Sequence, residues 1–230
     1  MMFCAPCAVA SWPETGIGFI PDVGASWLLS RAPGELGNFL ALTGDSVGPA
    51  DTIACDLADH CVPSRTLPEL AAALAELPVT GDTSAAATAT IAAYAVDPGR
   101  ALLSAHRTAI ETAFAHDSVE AILTAAAKSQ DPFVVEAARR IAVRSPLALK
   151  VTLAMLRRAR ELATVEDCLA LEFRIGERLA PAGDFQEGIR AVVIDKDGKP
   201  RWHPATLSEV SEEQVVRHFA PLSKPELWPG

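Results

Sequence analysis

The chain of 230 residues is 50% hydrophobic and 21% charged, so it can bury a core and is not disordered by composition. Its formal net charge of −9 argues against nucleic acid or an anionic membrane as a partner, although a few local basic residues could hold the phosphates of a small ligand. No apolar run has the length of a transmembrane span, and the apolar residues 1–10 lack the basic residues of a signal peptide. The five cysteines have no framework spacing, which favours a reducing compartment, and we therefore expect a cytoplasmic protein.

The first twelve residues fit poorly with the rest of the chain. Cys4 and Cys7 form a CxxC pair in this segment. The pair lacks both the strand–helix context of a thioredoxin-like redox motif and the second pair of ligands that a zinc site needs. We therefore treat residues 1–12 as an atypical N-terminal segment and expect no metal or redox cofactor.

The stretch from Pro13 to Gly24 carries two carboxylates, Glu14 and Asp22, eight residues apart. Three glycines and two prolines prevent one continuous helix here, so the two acids can converge from a loop. Paired carboxylates in an apolar-flanked turn commonly provide one acid or base and one group that orients the substrate. The plainer alternative is that they are surface charges or helix caps, since Asp22 could cap a helix that starts near Gly24.

Beyond this stretch the pattern predicts a mainly helical chain. Helix starts are indicated by Ser145–Pro146, with serine at the N-cap and proline at the first helical position, and by capping boxes at Asp184–Glu187 and Ser211–Gln214. One short strand is expected at residues 60–63, and a polar loop at residues 78–84. The predicted helices cover residues 24–30, 35–42, 49–57, 67–77, 85–95, 101–115, 119–128, 132–143, 146–160, 164–179 and 184–194, and a last helix starts after Ser211.

Several common catalytic motifs do not occur in the sequence. The five histidines form no HExxH pair, and there is no GxSxG elbow and no glycine-rich phosphate loop. The segment Asp195–Gly198 is similar to the start of a calcium loop, but its glycine comes fourth rather than sixth, so a solvated turn is expected. Glu14 and Asp22 are therefore the strongest candidates for catalysis.

Several segments together resemble the 3-hydroxyisobutyryl-CoA hydrolases, a branch of the crotonase (enoyl-CoA hydratase/isomerase) superfamily. The run PETGIGFIPDVG at residues 13–24 is similar to the catalytic loop of that branch. The run DFQEGIRAVVIDKD at residues 184–197 is similar to a segment that separates the branch from ordinary enoyl-CoA hydratases. Further similar segments are GNFLALTG at 37–44, SPLALKVT at 145–152, LEFR at 171–174 and WHPA at 202–205. The resemblance covers about residues 13–222.

The resemblance implies the C-terminal part of an α/β crotonase (ClpP/crotonase-like) fold, mainly α with few remaining strands. It divides the chain into the atypical residues 1–12, residues 13–64 as the remainder of the crotonase core with the catalytic-type loop, and residues 65–230 as a helical C-terminal region. It implies that Glu14 is the catalytic carboxylate, acting as base or nucleophile toward a thioester, and that Asp22 engages the substrate hydroxyl. The substrate would be 3-hydroxyisobutyryl-CoA, hydrolysed to 3-hydroxyisobutyrate and CoA in valine catabolism, with CoA present only as part of the substrate.

The chain departs from the pattern of this family in two kinds of place. Trp12 stands where the family usually has methionine, and Ala25 replaces the second glycine after Asp22. The family builds its oxyanion hole from two backbone N–H groups upstream of the glutamate, and twelve residues precede Pro13 here, so we expect little turnover from the isolated chain. Two alternatives therefore stay open. One is an enoyl-CoA hydratase or isomerase reaction, and the other is a non-catalytic chain that joins a homo-oligomer or a separately encoded N-terminal half.

Overall fold

The computed structural model describes residues 3–4, 10–78, 82–181, 183–223 and 227. Two compact units are present, one made of Met1–Ala10 and Ser46–Ala105 and the other of Ser11–Asp45 and His106–Gly230. The division into residues 13–64 and 65–230 that the sequence suggested stays a prediction. Cys7 of the CxxC pair and residues 79–81 of the expected polar loop lie outside the described residues.

The chain forms short helices connected by turns, with two very short strands in the described part. The first elements in chain order are β1 (Phe3–Cys4), a 3-10 helix at Pro13–Ile17, α1 (Ala25–Arg31), α2 (Leu36–Thr43), α3 (Pro49–Ala54), β2 (His60–Cys61) and a 3-10 helix at Ser64–Thr66. The longer helices follow as α4 (Leu67–Ala75), α5 (Thr83–Tyr94), α6 (Leu103–Phe114), α7 (Val119–Ala127), α8 (Pro132–Ile141), α9 (Pro146–Ala159) and α10 (Val165–Leu179). The chain then forms α11 (Gly183–Ile189), a π-helical turn at Arg190–Ile194, a 3-10 helix at Leu207–Glu209, α12 (Glu212–Val216) and a 3-10 helix at Arg217–Phe219.

The smaller unit combines the strand pair with short helices. β1 and β2 run parallel, with Phe3 opposite His60 and Cys4 opposite Cys61. Val62, directly after β2, is fully buried and packs with Leu70 of α4 and Ile91 of α5. These apolar contacts form the local core of the unit, and the partly buried Leu67, Leu74 and Tyr94 pack against it.

The core of the larger unit is helical. Phe39 of α2 is fully buried, and its ring lies 5.4 Å from that of Phe114 and 5.5 Å from that of Phe133, measured between centroids. Helix α9 runs through this core and is buried along most of its length. The 3-10 helix at Pro13–Ile17 packs against α2, α9 and α11, so the stretch with the two predicted acids is tied to the main core.

The architecture confirms the expectation of a mainly helical chain with few strands. The expected strand at residue 60 is present as β2, but its partner β1 was not expected from residues 1–12. The helix predicted over residues 184–194 ends at Ile189 and continues as a π-helical turn. In the part of the chain that the structure describes, no helix combines the length and apolar character that crossing a membrane requires.

Candidate active site

Glu14 lies in a tight turn whose shape is determined by the residues at its two ends. Pro13 occupies the first position of the 3-10 helix, where its fixed φ favours a helical turn. Gly18 ends the helix with φ of 73°, a left-handed conformation that glycine adopts without strain. The Glu14 carbonyl accepts hydrogen bonds from the backbone N–H groups of Gly18 and Phe19, the latter at 2.9 Å. The Glu14 backbone is therefore fixed, while Oε2 of its carboxyl is buried without a hydrogen-bond partner.

This turn is in close backbone contact with α11. A Cβ on Gly18 would lie 2.6 Å from the carbonyl oxygen of Asp184, and a Cβ on Gly188 would lie 2.5 Å from Cα of Ile17. Only glycine permits such an approach at both positions, because the opposing atoms are backbone and cannot rotate away. The glycines of the two separate motifs thus bring the Glu14 turn and the start of α11 together.

A buried hydrogen-bond network fastens the same junction. Ser145 Oγ donates to Asp184 Oδ2 at 2.6 Å, and the backbone N–H of His203 donates to Asp184 Oδ1 at 2.7 Å. The backbone N–H of Ser145 donates to the carbonyl of Thr15 at 3.1 Å, directly after Glu14. Asp184 is only 3% exposed, so these charge-assisted hydrogen bonds compensate for the cost of burying its carboxylate.

The capping box predicted for Asp184 and Glu187 is wrong. The Asp184 carboxylate is committed to Ser145 and His203, and Glu187 pairs instead with the Arg190 guanidinium at 2.7 and 2.9 Å. The local sequence fits a capping box, but Ser145, a buried partner far along the chain, competes with the local backbone N–H groups for the Asp184 carboxylate. The second predicted capping box, formed by Ser211 and Gln214, is confirmed.

Asp22 opens a four-residue turn that leads into α1. The N–H of Ala25 donates to the Asp22 carbonyl at 3.0 Å, and the two central residues both have positive φ, 57° at Val23 and 88° at Gly24. These angles are those of a type I′ turn. The N-cap residue of α1 is Gly24, and the N–H groups of Gly24 and Ser26 donate to Glu172, so Asp22 does not occupy the N-cap position.

The amides at the start of α1 are bound by a residue far along the chain. Glu172 of α10 accepts the N–H of Gly24 through Oε2 and the N–H of Ser26 through Oε1, both at 2.8 Å. Its side chain is almost completely buried. The turn that Asp22 opens is therefore fixed by two interactions, the hydrogen bond from Ala25 N–H to the Asp22 carbonyl and the hydrogen bonds to the Glu172 carboxylate.

The electrostatics link Glu14, Asp22 and Glu172. Burial raises the pKa of Glu14, and the charge of Asp22 raises it further. Burial also raises the pKa of Asp22. The pKa of Glu172 is raised mainly by burial and additionally by Asp22, although hydrogen bonds from the α1 amides oppose this. A carboxylate with a raised pKa is a better base, and its neutral form can return the proton, which suits general acid–base chemistry.

Asp22 opens onto a cavity of about 300 Å³. The cavity is lined by the apolar side chains of Phe19, Val23, Leu169 and Phe173 and by the acids Glu172 and Glu177. A mostly apolar cavity that also has three acidic side chains in its lining is suited to a small acyl group that carries a polar substituent.

The predicted acids Glu14 and Asp22 are brought into one electrostatic neighbourhood by the structure, while their catalytic roles stay predictions. Sequence reasoning missed the supporting residues Glu172, Asp184 and Ser145 as parts of the site. The signal available for Glu172 and Asp184 was that both lie in segments that resemble the same family as the Glu14 stretch does. In the ranges that the structure describes, no group of three or more His, Cys, Asp or Glu side chains could hold a metal ion.

Comparison with known proteins gives a consistent picture. A family model described as enoyl-CoA hydratase/isomerase matches residues 4–219. The chain is 38% identical to the mitochondrial 3-hydroxyisobutyryl-CoA hydrolase-like protein 1 of Arabidopsis thaliana, covering 93% of this chain and 55% of that protein. It is 36% identical to the mitochondrial 3-hydroxyisobutyryl-CoA hydrolase of Gallus gallus, over 95% of this chain and 57% of the relative. It is also 38% identical to the small ribosomal subunit protein mS47 of Arabidopsis thaliana, over 94% and 54%.

Solved structures agree with the sequence relatives. A carnitinyl-CoA dehydratase from Mycobacterium thermoresistibile superposes with a TM-score of 0.87 at 40% identity, covering 98% of this chain and 63% of that one. The chain spans a little over half the length of the relatives that it matches and corresponds to their C-terminal part. The expectation of a cytoplasmic location is wrong on this evidence, because the named hydrolase relatives are mitochondrial proteins.

Proposed function

We propose that this chain, which belongs to the enoyl-CoA hydratase/isomerase family, supplies the catalytic carboxylates of a 3-hydroxyacyl-CoA thioester hydrolase. The substrate proposed is 3-hydroxyisobutyryl-CoA, an intermediate of valine breakdown, as the names of the hydrolase relatives suggest. The observation that carries the proposal is the half-buried Glu14 carboxyl, whose Oε2 has no hydrogen-bond partner and whose pKa is raised by burial and by Asp22.

In the proposed reaction the Glu14 carboxylate takes a proton from water, and the water oxygen bonds to the thioester carbonyl carbon. The tetrahedral oxyanion then collapses, the carbon–sulfur bond breaks, and the CoA thiolate takes the proton that Glu14 holds. In the other route open to the same residue, the carboxylate bonds to the carbonyl carbon, the carbon–sulfur bond breaks to release the CoA thiolate, and water then hydrolyses the resulting anhydride and supplies the proton for the thiolate. Both routes need an unpaired carboxylate oxygen, and Glu14 Oε2 is such an atom.

Asp22 is proposed to accept a hydrogen bond from the 3-hydroxyl of the acyl group. A site that binds a substrate hydroxyl discriminates strongly against analogues without it, because the buried polar partner is otherwise left unpaired. The apolar walls of the neighbouring cavity, including Phe19 and Phe173, would contact the methyl-bearing carbons. The donors that stabilise the oxyanion lie upstream of the glutamate in this family, so we propose the full activity for the chain together with a segment that carries them.

The test is release of CoA from 3-hydroxyisobutyryl-CoA, followed with a thiol reagent after subtraction of the cysteine background. The chain is assayed alone and co-expressed with the part of the Gallus gallus relative that it does not cover. We expect turnover in the second preparation, lowered by roughly 10²- to 10⁴-fold in Glu14→Gln, as for loss of a general base. The exposed Glu69→Gln serves as the matched control and should turn over normally. Absence of turnover in both preparations, or an active Glu14→Gln, would overturn the proposal.

Hydration of an enoyl-CoA is the second candidate, because the structural neighbour is named a dehydratase. Glu14 could activate water toward the double bond instead of the thioester carbonyl. Loss of the crotonyl-CoA double bond, with no CoA release from the hydroxyacyl thioester, would favour this candidate. If neither reaction occurs, a non-catalytic assembly role is favoured, and the ribosomal relative mS47 is then the more informative comparison.

A further inference from the structure

The turn after Asp22 contains a residue in an unfavourable conformation. Val23 has φ of 57°, in the left-handed region that β-branched residues rarely adopt. Type I′ turns normally have asparagine, aspartate or glycine at this position. The Val23 side chain is 86% exposed, so no burial of its methyl groups compensates for the strain. Strain of this kind persists only where surrounding contacts enforce it, and it is concentrated at functional sites.

The contacts that enforce it come from Glu172. Its two carboxylate oxygens bind the N–H groups of Gly24 and Ser26, the first and third residues after Val23, each at 2.8 Å. A carboxylate that accepts two N–H groups in this way fixes the orientation of the intervening peptides. Glu172 is 4% exposed and lies on α10, one of the core helices, so the fixed point is rigid relative to the rest of the larger unit.

We propose that Glu172 is a positioning residue that holds Val23 in its left-handed conformation and thereby directs the Asp22 carboxylate toward the hydroxyl of a 3-hydroxyacyl group. The inference rests on the proposed function only for the role of Asp22. Asp22, Val23 and Glu172 all border the same cavity, so a relaxed turn would change the position of the acid and the shape of the cavity together. Glu172 itself touches no reacting atom in this scheme.

A purely structural role for Glu172 makes a different prediction. If its carboxylate only stabilises the start of α1, its removal should lower stability and reduce the rates of all substrates alike. A positioning role predicts a selective loss for the substrate that carries the hydroxyl. The quantity to measure is therefore the ratio of kcat/KM for 3-hydroxyisobutyryl-CoA to kcat/KM for isobutyryl-CoA, which lacks the hydroxyl.

Two variants test this hold on the turn. Glu172→Gln keeps the shape of the side chain but loses one of the two acceptor oxygens, and we expect it to lower the ratio by roughly 10- to 100-fold, as for misplacement of a group by about 1 Å. Val23→Gly removes the strain without touching Glu172, and because glycine adopts the left-handed conformation readily it should keep the ratio of the unsubstituted chain. Added to Glu172→Gln, Val23→Gly should restore part of the lost ratio, which separates positioning of the turn from a general loss of folding. Glu166→Gln, an exposed acid on the same helix, is the matched control and should leave the ratio unchanged.

Backbone amide exchange provides a readout that does not depend on turnover. The amides of Gly24 and Ser26 should exchange faster in Glu172→Gln than in the unsubstituted chain, while the amides of α5, which belongs to the other unit, should not change. Amide exchange at Gly24 and Ser26 that is no faster in Glu172→Gln than in the unsubstituted chain, or an unchanged ratio in Glu172→Gln, would overturn the positioning role. If the unsubstituted chain hydrolyses neither thioester, the proposed function fails, and the amide exchange alone decides whether Glu172 holds the turn.

Discussion

Adding one methyl group at Gly188 should break the junction between the Glu14 turn and α11. A Cβ at this position would meet the backbone of Ile17, with Cα only 2.5 Å away and the carbonyl carbon and oxygen closer still. Real Cβ atoms essentially never approach other heavy atoms to less than 3.0 Å. The backbone of Ile17 cannot rotate away as a flexible side chain could, so α11 must move back from the turn.

The cost arises from overpacking and from the contacts that the movement breaks. Forcing extra atoms into a packed site costs about 1–3 kcal/mol, and the upper end applies here because only backbone can give way. For a chain of this size each kcal/mol corresponds to about 2–4 °C, so Gly188→Ala should lower the melting temperature by about 6–12 °C. The displacement also stretches the hydrogen bond between Ser145 and Asp184, now 2.6 Å, which couples the change to the position of Glu14.

The assay is thermal unfolding followed by far-ultraviolet circular dichroism, since the chain is mainly helical. Gly183→Ala is the matched control because it lies on the same helix and a Cβ there would meet nothing within 4 Å. Alanine is favoured over glycine by up to about 1 kcal/mol within a helix, so the control should melt at the same temperature or slightly higher. Equal melting temperatures for Gly188→Ala and Gly183→Ala would refute the close approach on which the described junction depends.

Two further predictions concern charge and capping. Burial raises the pKa of Glu14 in the folded chain, so the folded state loses stability as the pH rises from 4.5 through the folded pKa. Glutamine does not titrate, so the free energy of unfolding of Glu14→Gln should increase relative to that of the unsubstituted chain over the same interval. Denaturant unfolding at stepped pH measures this, and a difference in unfolding free energy between the two chains that stays constant with pH would contradict it. Ser145→Ala removes both a helix cap and the partner of Asp184, and should cost about 2–4 kcal/mol in urea unfolding. Ser118→Ala, which removes an exposed cap, should cost about 1 kcal/mol, and equal costs would argue against the network.

Local signals in the sequence were sufficient for most helix starts. Ser145 accepts a hydrogen bond from the N–H of Ala148, as predicted. Ser118, Asp131 and Thr164 each stand at or next to a predicted helix start, and each accepts a hydrogen bond from an N–H two or three residues later. Interactions of this range are contained in a few consecutive residues, so composition and spacing reveal them. The same holds for the break between Glu14 and Asp22, where proline and glycine determine the course of the backbone directly.

Long-range interactions could not be predicted in this way. Glu172 binds amides that precede it by 148 and 146 residues, and nothing in the sequence around it indicates those partners. Asp184 fits a capping-box pattern, yet its carboxylate binds Ser145 in the interior. Strand β1 was missed for the same reason, because its partner lies near residue 60. For Asp184 the tertiary partner overrode a local capping preference, whereas for Glu172 and β1 no local signal indicated the partner.

The geometry of the two acids therefore depends on residues far from the stretch that indicates the chemistry. The Glu14 turn is held by Ser145 and by α11, and the turn after Asp22 is held by α10. A chain could keep PETGIGFIPDVG intact and still lose the arrangement if Glu172 or Gly188 were replaced. The run at residues 13–24 thus identifies which residues could react, whereas the segments 145–152, 171–174 and 184–197 determine whether they are placed to do so.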